Sequence, residues 1–453
     1  MEEKMKKIRS LCKRRGFVYP SSEIYGGFSS SYDFGPLGVQ LKRNIKNHWW
    51  EEMVQKNRDV VGLDAAILMN PDVWKASGHL DSGFADELVE CKECHQRFKA
   101  DEVKEECPEC GGKLMEAQQF NLMMKTLVGP SEEKADTSYL RPETCQGIFV
   151  NFKNVLNSTR KKLPFGIAQI GKSFRNEISP GNYFFRTREF EQMEMQWFCS
   201  PKADKTPEEW FDYWKEQRLN WYLDLGIDED NIRAHEIPEE ERAHYAQRQV
   251  DLEYKFPFGW GEIEGIHNRG DWDTSTHTEH SEDDLKYYDE ERDEKYFPNV
   301  IETSVGVERS MLAFLTEAYQ EAKGGRADQS NKEEEIVLQL PKKLAPTKVI
   351  VLPLVKKEEK LVEKSEKIFQ ELQEEFHCQY DERGSVGKRY RRADEIGVLY
   401  AVTVDFDTLE DNTVTIRWRD NMKQIRVPVD ELKQILNSLI EGDIEFEEAG
   451  ELV

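Results

Sequence analysis

The sequence predicts a mixed α/β (α+β) chain: an antiparallel sheet flanked by helices, followed by a smaller C-terminal α/β domain. Three observations carry this reading. Residues 165–177, "FGIAQIGKSFRNE", and 188–199, "REFEQMEMQWFC", alternate like strands, and the polar, Gly- and Pro-containing "ISPGNYFFRT" between them reads as a hairpin loop. The last hundred residues alternate strand-like and helix-like runs. Residues 88–114 hold two C-x-x-C pairs with twelve residues between them, a metal-knuckle insertion.

The elements follow in order. In 37–56, Leu37, Leu41, Ile45, Trp49 and Met53 fall four apart, one apolar stripe on a long helix. "VVGLDAAILMNP", 60–71, has strand character and stops at Pro71, because proline restricts itself and its predecessor. Residues 200–295 read as an inserted helical and acidic region, with 279–294 as a solvated acidic face. "FPNVIETSVGVERSMLAFLT", 297–316, reads as a strand, a glycine at 306, then a helix. The polar, aperiodic stretch 321–335 sets a boundary between domains 1–335 and 336–453. Beyond it, "KVIVLPL" is a buried strand, and Leu361, Val362, Ile368, Phe369, Leu372 and Phe376 mark one face of a helix. "AVTVDF" and "TVTIRW" are further strands, and "VDELKQILNSLI" is a final helix.

Composition narrows the class. A net charge of -25 excludes a protein that coats nucleic acid through bulk positive charge, while leaving room for local basic patches. No run of ~18 apolar residues is present to span a membrane. The start, "MEEKMKKIRSLCKRRGFVYP", lacks the apolar core of a secretory signal. Cys12, Cys145, Cys199 and Cys378 are scattered singly, as suits a reducing compartment, and the expected location is the cytoplasm. Cys91, Cys94, Cys107 and Cys110 suit tetrahedral Zn2+, and four thiolates leave no open position, so the ion is read as structural. "CKECH" also fits c-type haem attachment, but the second pair speaks against it.

The chemistry sits elsewhere. In strands, positions two apart share a face, so Arg175 pairs with Glu177, and Phe190 with Glu194 on the partner strand, with Arg186 in the loop above. An arginine, two carboxylates and a ring could grip a nucleoside triphosphate. The hairpin alone fits a surface ion-pair ladder equally well.

F-R-x-E followed by R-x-x-x-F-x-x-x-E resembles motif 2 of the class II aminoacyl-tRNA synthetases. The helix and strand ending at Pro71 resemble motif 1, which builds the dimer interface in that class, and "SVGVERSMLAFL" resembles motif 3, with Arg309 as its arginine. "SSEIYGGFSSSYDFGPLG", "YLRPETCQGIFVNF", "GWGEIEGIHNRGDWD" and "GSVGKRYRRADEIG" narrow the resemblance to glycyl-tRNA synthetases of the homodimeric type, over about residues 10–440. One departure is Thr303, where the family usually has proline between Glu302 and Ser304.

The resemblance implies a ligase that joins glycine and ATP into glycyl-adenylate and transfers glycine to the 3' end of tRNA(Gly). By that resemblance Arg175 contacts the α-phosphate, Glu177 the adenine amino group, and Phe190 stacks on adenine. Arg186 and Arg309 hold the outer phosphates, and Glu262 and Glu308 lie near ATP and its Mg2+. Asn176, Phe185, Arg188, Ile263 and Gly306 complete the ATP site. Glycine falls to Glu143, Phe190, Glu191, Gln192, Glu194, Glu302, Ser304 and Gly306, with Arg97 reaching in from the knuckle. A solvated Arg97 is the other reading. The C-terminal domain resembles an anticodon-binding domain, with Lys388, Arg389, Arg391 and Arg392 beside an aromatic as its basic patch. Cys145 is expected to be a buried core cysteine and no nucleophile.

Overall fold

The computed structural model describes residues 2–80, 84–100, 103–131, 135–177, 181–326 and 334–453. Parts of the predicted hairpin loop (178–180), the knuckle (101–102) and the boundary stretch (327–333) lie outside the described residues.

A seven-stranded sheet forms the centre. Its order is Ile232–Glu236, Arg248–Phe256, Gly259–Gly270, Asn299–Gly306, Glu189–Cys199, Phe165–Phe174 and Val60–Gly62. Neighbours run antiparallel except the edge strand Val60–Gly62, which runs parallel to Phe165–Phe174. Alternation gives the sheet two unlike faces. Met193, Met195 and Trp197 enter the apolar core, so Phe190, Gln192, Glu194 and Gln196 lie on the opposite face. Register aligns further polar groups with them. Glu194 lies between Gln169 and Ser304, Gln196 is opposite Glu302, and His267 is opposite Glu302 from the other side.

Three helices cover the apolar face. Pro36–Trp50 starts with proline at its first turn, where the missing N–H costs nothing, and buries Leu37, Leu41, Ile45 and Trp49. Met53 follows, buried in the π-helical turn Glu51–Gln55. Pro207–Asp224 opens on a capping box in which Thr206 and Glu209 satisfy each other's backbone N–H. Val307–Ala318 is buried along nearly its whole length. One apolar cluster runs from Ile8 through Trp49, Met195 and Phe314 to Val351 and Leu436, so it continues from the central sheet into the C-terminal strands and helices.

The C-terminal sheet has the order Cys378–Tyr380, Val349–Pro353, Tyr400–Val404, Thr413–Trp418, Gln424–Pro428 and Glu451–Leu452. Its first three strands are parallel and the rest antiparallel. Helix Glu359–Leu372 buries Leu361, Ile368 and Leu372 against it, with Val362 and Phe369 at the margin; Phe376 is buried just beyond the helix.

Several expectations are corrected. The strand expected over 60–71 is only Val60–Gly62, and Pro71 opens helix Pro71–Ala76, with the Asn70 side chain accepting from Asp72 N at 3.0 Å. Proline suits a helix start as well as a strand end. The strand Phe165–Phe174 ends before Arg175, so Arg175 and Glu177 lie in the loop, not on the strand. The range 200–295 is not a helical and acidic insertion throughout. Two central strands lie within it, and Val250, Leu252, Tyr254 and Phe256 are buried at strict two-residue spacing. The acidic run 279–294 is mostly exposed, as expected of a solvated face, and a short hairpin of Tyr287–Asp289 and Glu294–Tyr296 spans its end. Tyr319–Lys323 pairs with Glu334–Leu338, so the boundary stretch joins the arms of a hairpin. In "AVTVDF" the strand stops at Val404, because Asp405 caps helix Phe406–Asp411.

Gly38 lets the long helix lie directly on the backbone at Phe17: a Cβ there would sit 1.9 Å from Phe17 O. Gly38→Ala is expected to cost ~1–3 kcal/mol or more by overpacking. Gly387→Ala, with nothing within 4 Å, is expected to be neutral or mildly stabilising. Urea denaturation of the two variants checks the contrast.

Candidate active site

The polar face of the central sheet floors a cavity of about 220 Å³. It has a carboxylate-rich end and an arginine-rich end.

At the carboxylate-rich end, Glu143, Glu194 and Glu302 are all buried. Gln196 bridges two of them, its Nε2 donating to Glu194 Oε1 at 2.7 Å and Glu302 Oε2 at 2.6 Å. Thr144 donates its hydroxyl to Glu194. Arg269 Nη1 donates to Glu302 Oε2 at 2.9 Å, while Nε and Nη2 grip Asp273 at 2.7 and 2.8 Å. The Arg269 guanidinium lies 3.6 Å from the Tyr245 ring centroid. His79 Nε2 is 3.3 Å from Glu143 Oε1.

Charge is unevenly shared here. Burial, then Glu302 and Glu143, push the Glu194 carboxyl well above the usual range. Burial acts the same way on Glu302, but Arg269 and His267 outweigh it and bring its pKa to about 2. Burial is likewise outweighed at Glu143, chiefly by His79, and that carboxyl lies well below the usual range. Of the three, Glu194 is the carboxyl that takes up a proton most readily. Burial, reinforced by Glu143, drives the Cys145 thiol well above its usual value, so it supplies no thiolate.

At the arginine-rich end, the Arg175 guanidinium lies 5.5 Å from both the Phe84 and Phe190 ring centroids. Its Nε donates to Pro142 O at 3.1 Å. Glu177 Oε2 is buried without a hydrogen-bond partner among the described residues. Arg309 pairs with Glu262 at 2.8 Å and lies 4.6 Å from the Phe185 ring centroid. Lys42 reaches up from the long helix and pairs with Glu308 at 2.6 Å and Glu191 at 2.7 Å.

The structure brings most predicted residues together. Glu143, Arg175, Glu177, Phe185, Arg186, Phe190, Gln192, Glu194, Glu262, Ile263, Glu302, Ser304, Gly306, Glu308 and Arg309 line the cavity. Four do not. Arg97 is exposed and donates to Glu90 at 2.8 Å on the knuckle sheet. Glu191 turns to Lys42 and Lys46. Arg188 donates to Glu177 O and Ser29 O, holding the loop. Asn176 gives its backbone N–H to Leu122 O. Thr187, Tyr245, Gly265 and His267 also line the cavity and were missed. For Gly265 and His267 a signal existed, since both lie in "GWGEIEGIHNRGDWD" and fall two apart there.

The four cysteine sulfurs gather within 4.8 Å of one another. Cys91–Cys110 and Cys94–Cys107 are 3.5 and 3.6 Å apart, near the ~3.8 Å edge of a tetrahedron with 2.3 Å metal–sulfur bonds. A Cβ at Gly112 would come within 3.0 Å of Cys91 Sγ, which explains the glycine. The set fits Zn2+. The knuckle is carried on a three-stranded sheet of Ala85–Glu90, Arg97–Lys99 and Gln118–Asn121, wider than the predicted 88–114.

In the basic patch, Arg389 is no surface group. It is buried, donating to Pro353 O at 2.6 Å and Leu354 O at 3.1 Å. Tyr390 is half-buried, with its hydroxyl 2.6 Å from that of Thr403 and the Arg417 guanidinium 4.8 Å from its ring centroid. Lys388 is exposed and Arg391 and Arg392 are half-buried.

Comparison with known proteins agrees with this geometry. Residues 126–319 match the family described as "tRNA synthetase class II core domain (G, H, P, S and T)", and residues 348–439 match "Anticodon binding domain". The fold is similar to that of prolyl-tRNA synthetase from Cryptosporidium parvum complexed with L-proline and AMP. The TM-score is 0.62 at 18% identity, covering 96% of this chain and 77% of that one. Fold and site together define a class II aminoacyl-tRNA synthetase. Glycine--tRNA ligase of Thermobifida fusca is 49% identical, covering 97% of this chain and 99% of its own. That of Treponema denticola is 52% identical, over 94% and 95%, and that of Acetivibrio thermocellus 50%, over 98% and 100%. The chain belongs to the glycine--tRNA ligase family.

Glu194 generates a pH prediction. A carboxyl near 4.5 in the unfolded chain is raised in the fold. The unfolded chain therefore binds fewer protons above that range, and stability falls as pH rises toward the folded value. Glu194→Gln is expected to melt higher than the unsubstituted protein, by a margin that widens from pH ~4.5 toward neutrality, while glycine activation is lost. Melting curves across pH together with activity check both halves.

Proposed function

We propose that the cavity binds glycine at its carboxylate-rich end and ATP at its arginine-rich end, and that glycine is joined to tRNA(Gly) there in two steps. The observation that carries this is the buried set of Glu143, Glu194 and Glu302, which Arg269 answers at Glu302 by a direct hydrogen bond and Arg141 answers only through its field on Glu194. A small cationic amine completes that balance, and the narrow pocket rejects larger side chains by clash.

In the first step a glycine carboxylate oxygen attacks the α-phosphorus and pyrophosphate leaves. In the second, the terminal tRNA hydroxyl attacks the adenylate carbonyl and AMP leaves. Catalysis comes from positioning and from charge stabilisation by Arg175, Arg186 and Arg309. The orphaned Glu177 Oε2 suits the adenine amino group, and Phe190 offers its ring for stacking. Glu262 and Glu308 line the ATP end and keep carboxylate lone pairs free beyond their pairs with Arg309 and Lys42, which fits Mg2+. When bound, the ion neutralises charge on the triphosphate.

Residues 1–335 act as the catalytic unit and 336–453 as the anticodon-binding unit, with Lys388, Arg391 and Arg392 available to RNA phosphates. The edge strand Val60–Gly62 and the long helix beside it support a homodimer through this segment. Among the described residues no helix is long and apolar enough to cross a membrane, which accords with a cytoplasmic location. The zinc knuckle braces the ATP end, since Asn176 N donates to Leu122 O, next to the last knuckle strand, at 2.9 Å.

Arg175→Ala is expected to lower glycine-dependent ATP–pyrophosphate exchange at least ~100-fold. Near-normal exchange would remove Arg175 from the reaction. Stripping zinc with a chelator is expected to lower the melting temperature; normal melting with lost activation would contradict a bracing role.

A further inference from the structure

His267 sits at the meeting point of the amino-acid pocket's charges. It projects from the strand Gly259–Gly270 into the cavity, directly opposite Glu302. Room for its ring comes from Gly265, where a Cβ would lie 2.8 Å from His267 Cε1. The acceptors around it are mostly spoken for. Glu194 takes Thr144 on one oxygen and Gln196 on the other. Glu302 Oε2 takes Arg269 and Gln196. Glu302 Oε1 takes neither of these donors, and His267 Nδ1 lies 2.7 Å from it. The contact is close but not aligned as a hydrogen bond, and the buried Nδ1 has no hydrogen-bond partner among the described residues. A neutral ring therefore gains little by holding Oε1 and can yield it. A protonated ring gains an ion pair and holds it.

We propose that His267 regulates the charge of this pocket: only its neutral imidazole leaves Glu302 Oε1 to a substrate ammonium, and its protonation excludes the cationic amine. This rests on the reading that Glu302 takes the glycine ammonium. Other charged and titratable groups face His267. They are Glu302 on one neighbouring strand, Asp251 on the other, Glu262 and Arg269 on its own strand, and Tyr245, whose ring centroid is 5.9 Å away; Glu143 and Glu194 act on Glu302 beyond them. Asp251 is the competitor for any pH effect, because burial and Glu262 raise it to about 6.

The test uses the full chain and glycine-dependent ATP–pyrophosphate exchange at saturating ATP. The glycine KM is followed from about pH 8 to about pH 5.5. In the unsubstituted protein it is expected to rise at least ~10-fold toward low pH, as when only the neutral form binds. In His267→Asn and His267→Gln the rise is expected to shrink several-fold, leaving the part due to Glu194. The ATP KM should change with pH alike in all. Parallel glycine profiles in properly melting variants overturn the proposal, as does a flattening produced by Asp251→Asn and not by His267→Asn. Glu302→Gln separates the two levels. Loss of glycine activation there, with parallel His267→Asn profiles, overturns the regulator and leaves the substrate reading standing. Normal activation in Glu302→Gln overturns both.

Discussion

One buried ion-pair arrangement sets the terms for the rest of this molecule. The Arg269 guanidinium, itself fully buried, grips Asp273 in a fork and reaches on to Glu302, with Glu143 and Glu194 close by. Burying charge is costly unless it is paired, and breaking such a pair leaves an uncompensated charge that costs about 3–5 kcal/mol. Asp273, Glu143, Glu194 and Glu302 outnumber the guanidiniums that act on them, Arg269 and, on Glu194, Arg141. His79 beside Glu143 meets part of that deficit, and burial makes Glu194 the readiest of the set to take up a proton. What remains is an environment that favours one more small cation. Selectivity and stability are thus two readings of one charge balance.

The sheet makes that balance possible. Period-two alternation sends Met193, Met195 and Trp197 to one side and the pocket carboxyls and amides to the other. A second buried pair shows the same logic on the apolar side: Arg218, from helix Pro207–Asp224, donates to Glu264 at 2.6 and 3.1 Å. Glu264 and Gly265 are adjacent in sequence, yet one anchors a helix and the other opens the pocket. Glycine is used in the same way at Gly171, where a Cβ would lie 2.2 Å from Arg141 Nη2. That absence lets Arg141 lie on the strand and donate to Lys172 O and Ala65 O, fixing the loop that carries Glu143.

Much of this was legible in the sequence because it obeys local rules. The stripe from Leu37 to Met53, the alternation in 188–199 and the paired cysteine knuckles follow from short-range spacing, and each appears in the fold. What was not legible depends on long-range register. That Gln196 would bridge Glu194 and Glu302 requires two strands about a hundred residues apart to pair in one register. Arg269 and Asp273 fall inside "GWGEIEGIHNRGDWD", yet nothing in that stretch tells that they pair behind the pocket, and His79 lies in no quoted stretch at all. Arg389 shows the converse: a basic run predicts charge at the surface, but one member of the run points inward and caps carbonyls. Pro71 was ambiguous locally, because proline ends strands and begins helices equally well.

On the proposed function, the pocket's unmet negative charge, more than its shape alone, selects the substrate amine. Calorimetric binding of glycine, alanine and glycolate to the ATP-analogue-loaded protein tests it most directly. Glycolate matches glycine in size and carboxylate but has a hydroxyl where glycine has its ammonium. The account predicts measurable binding of glycine, none of glycolate at the same concentrations, and rejection of alanine by clash. Glycolate binding as well as glycine would contradict it.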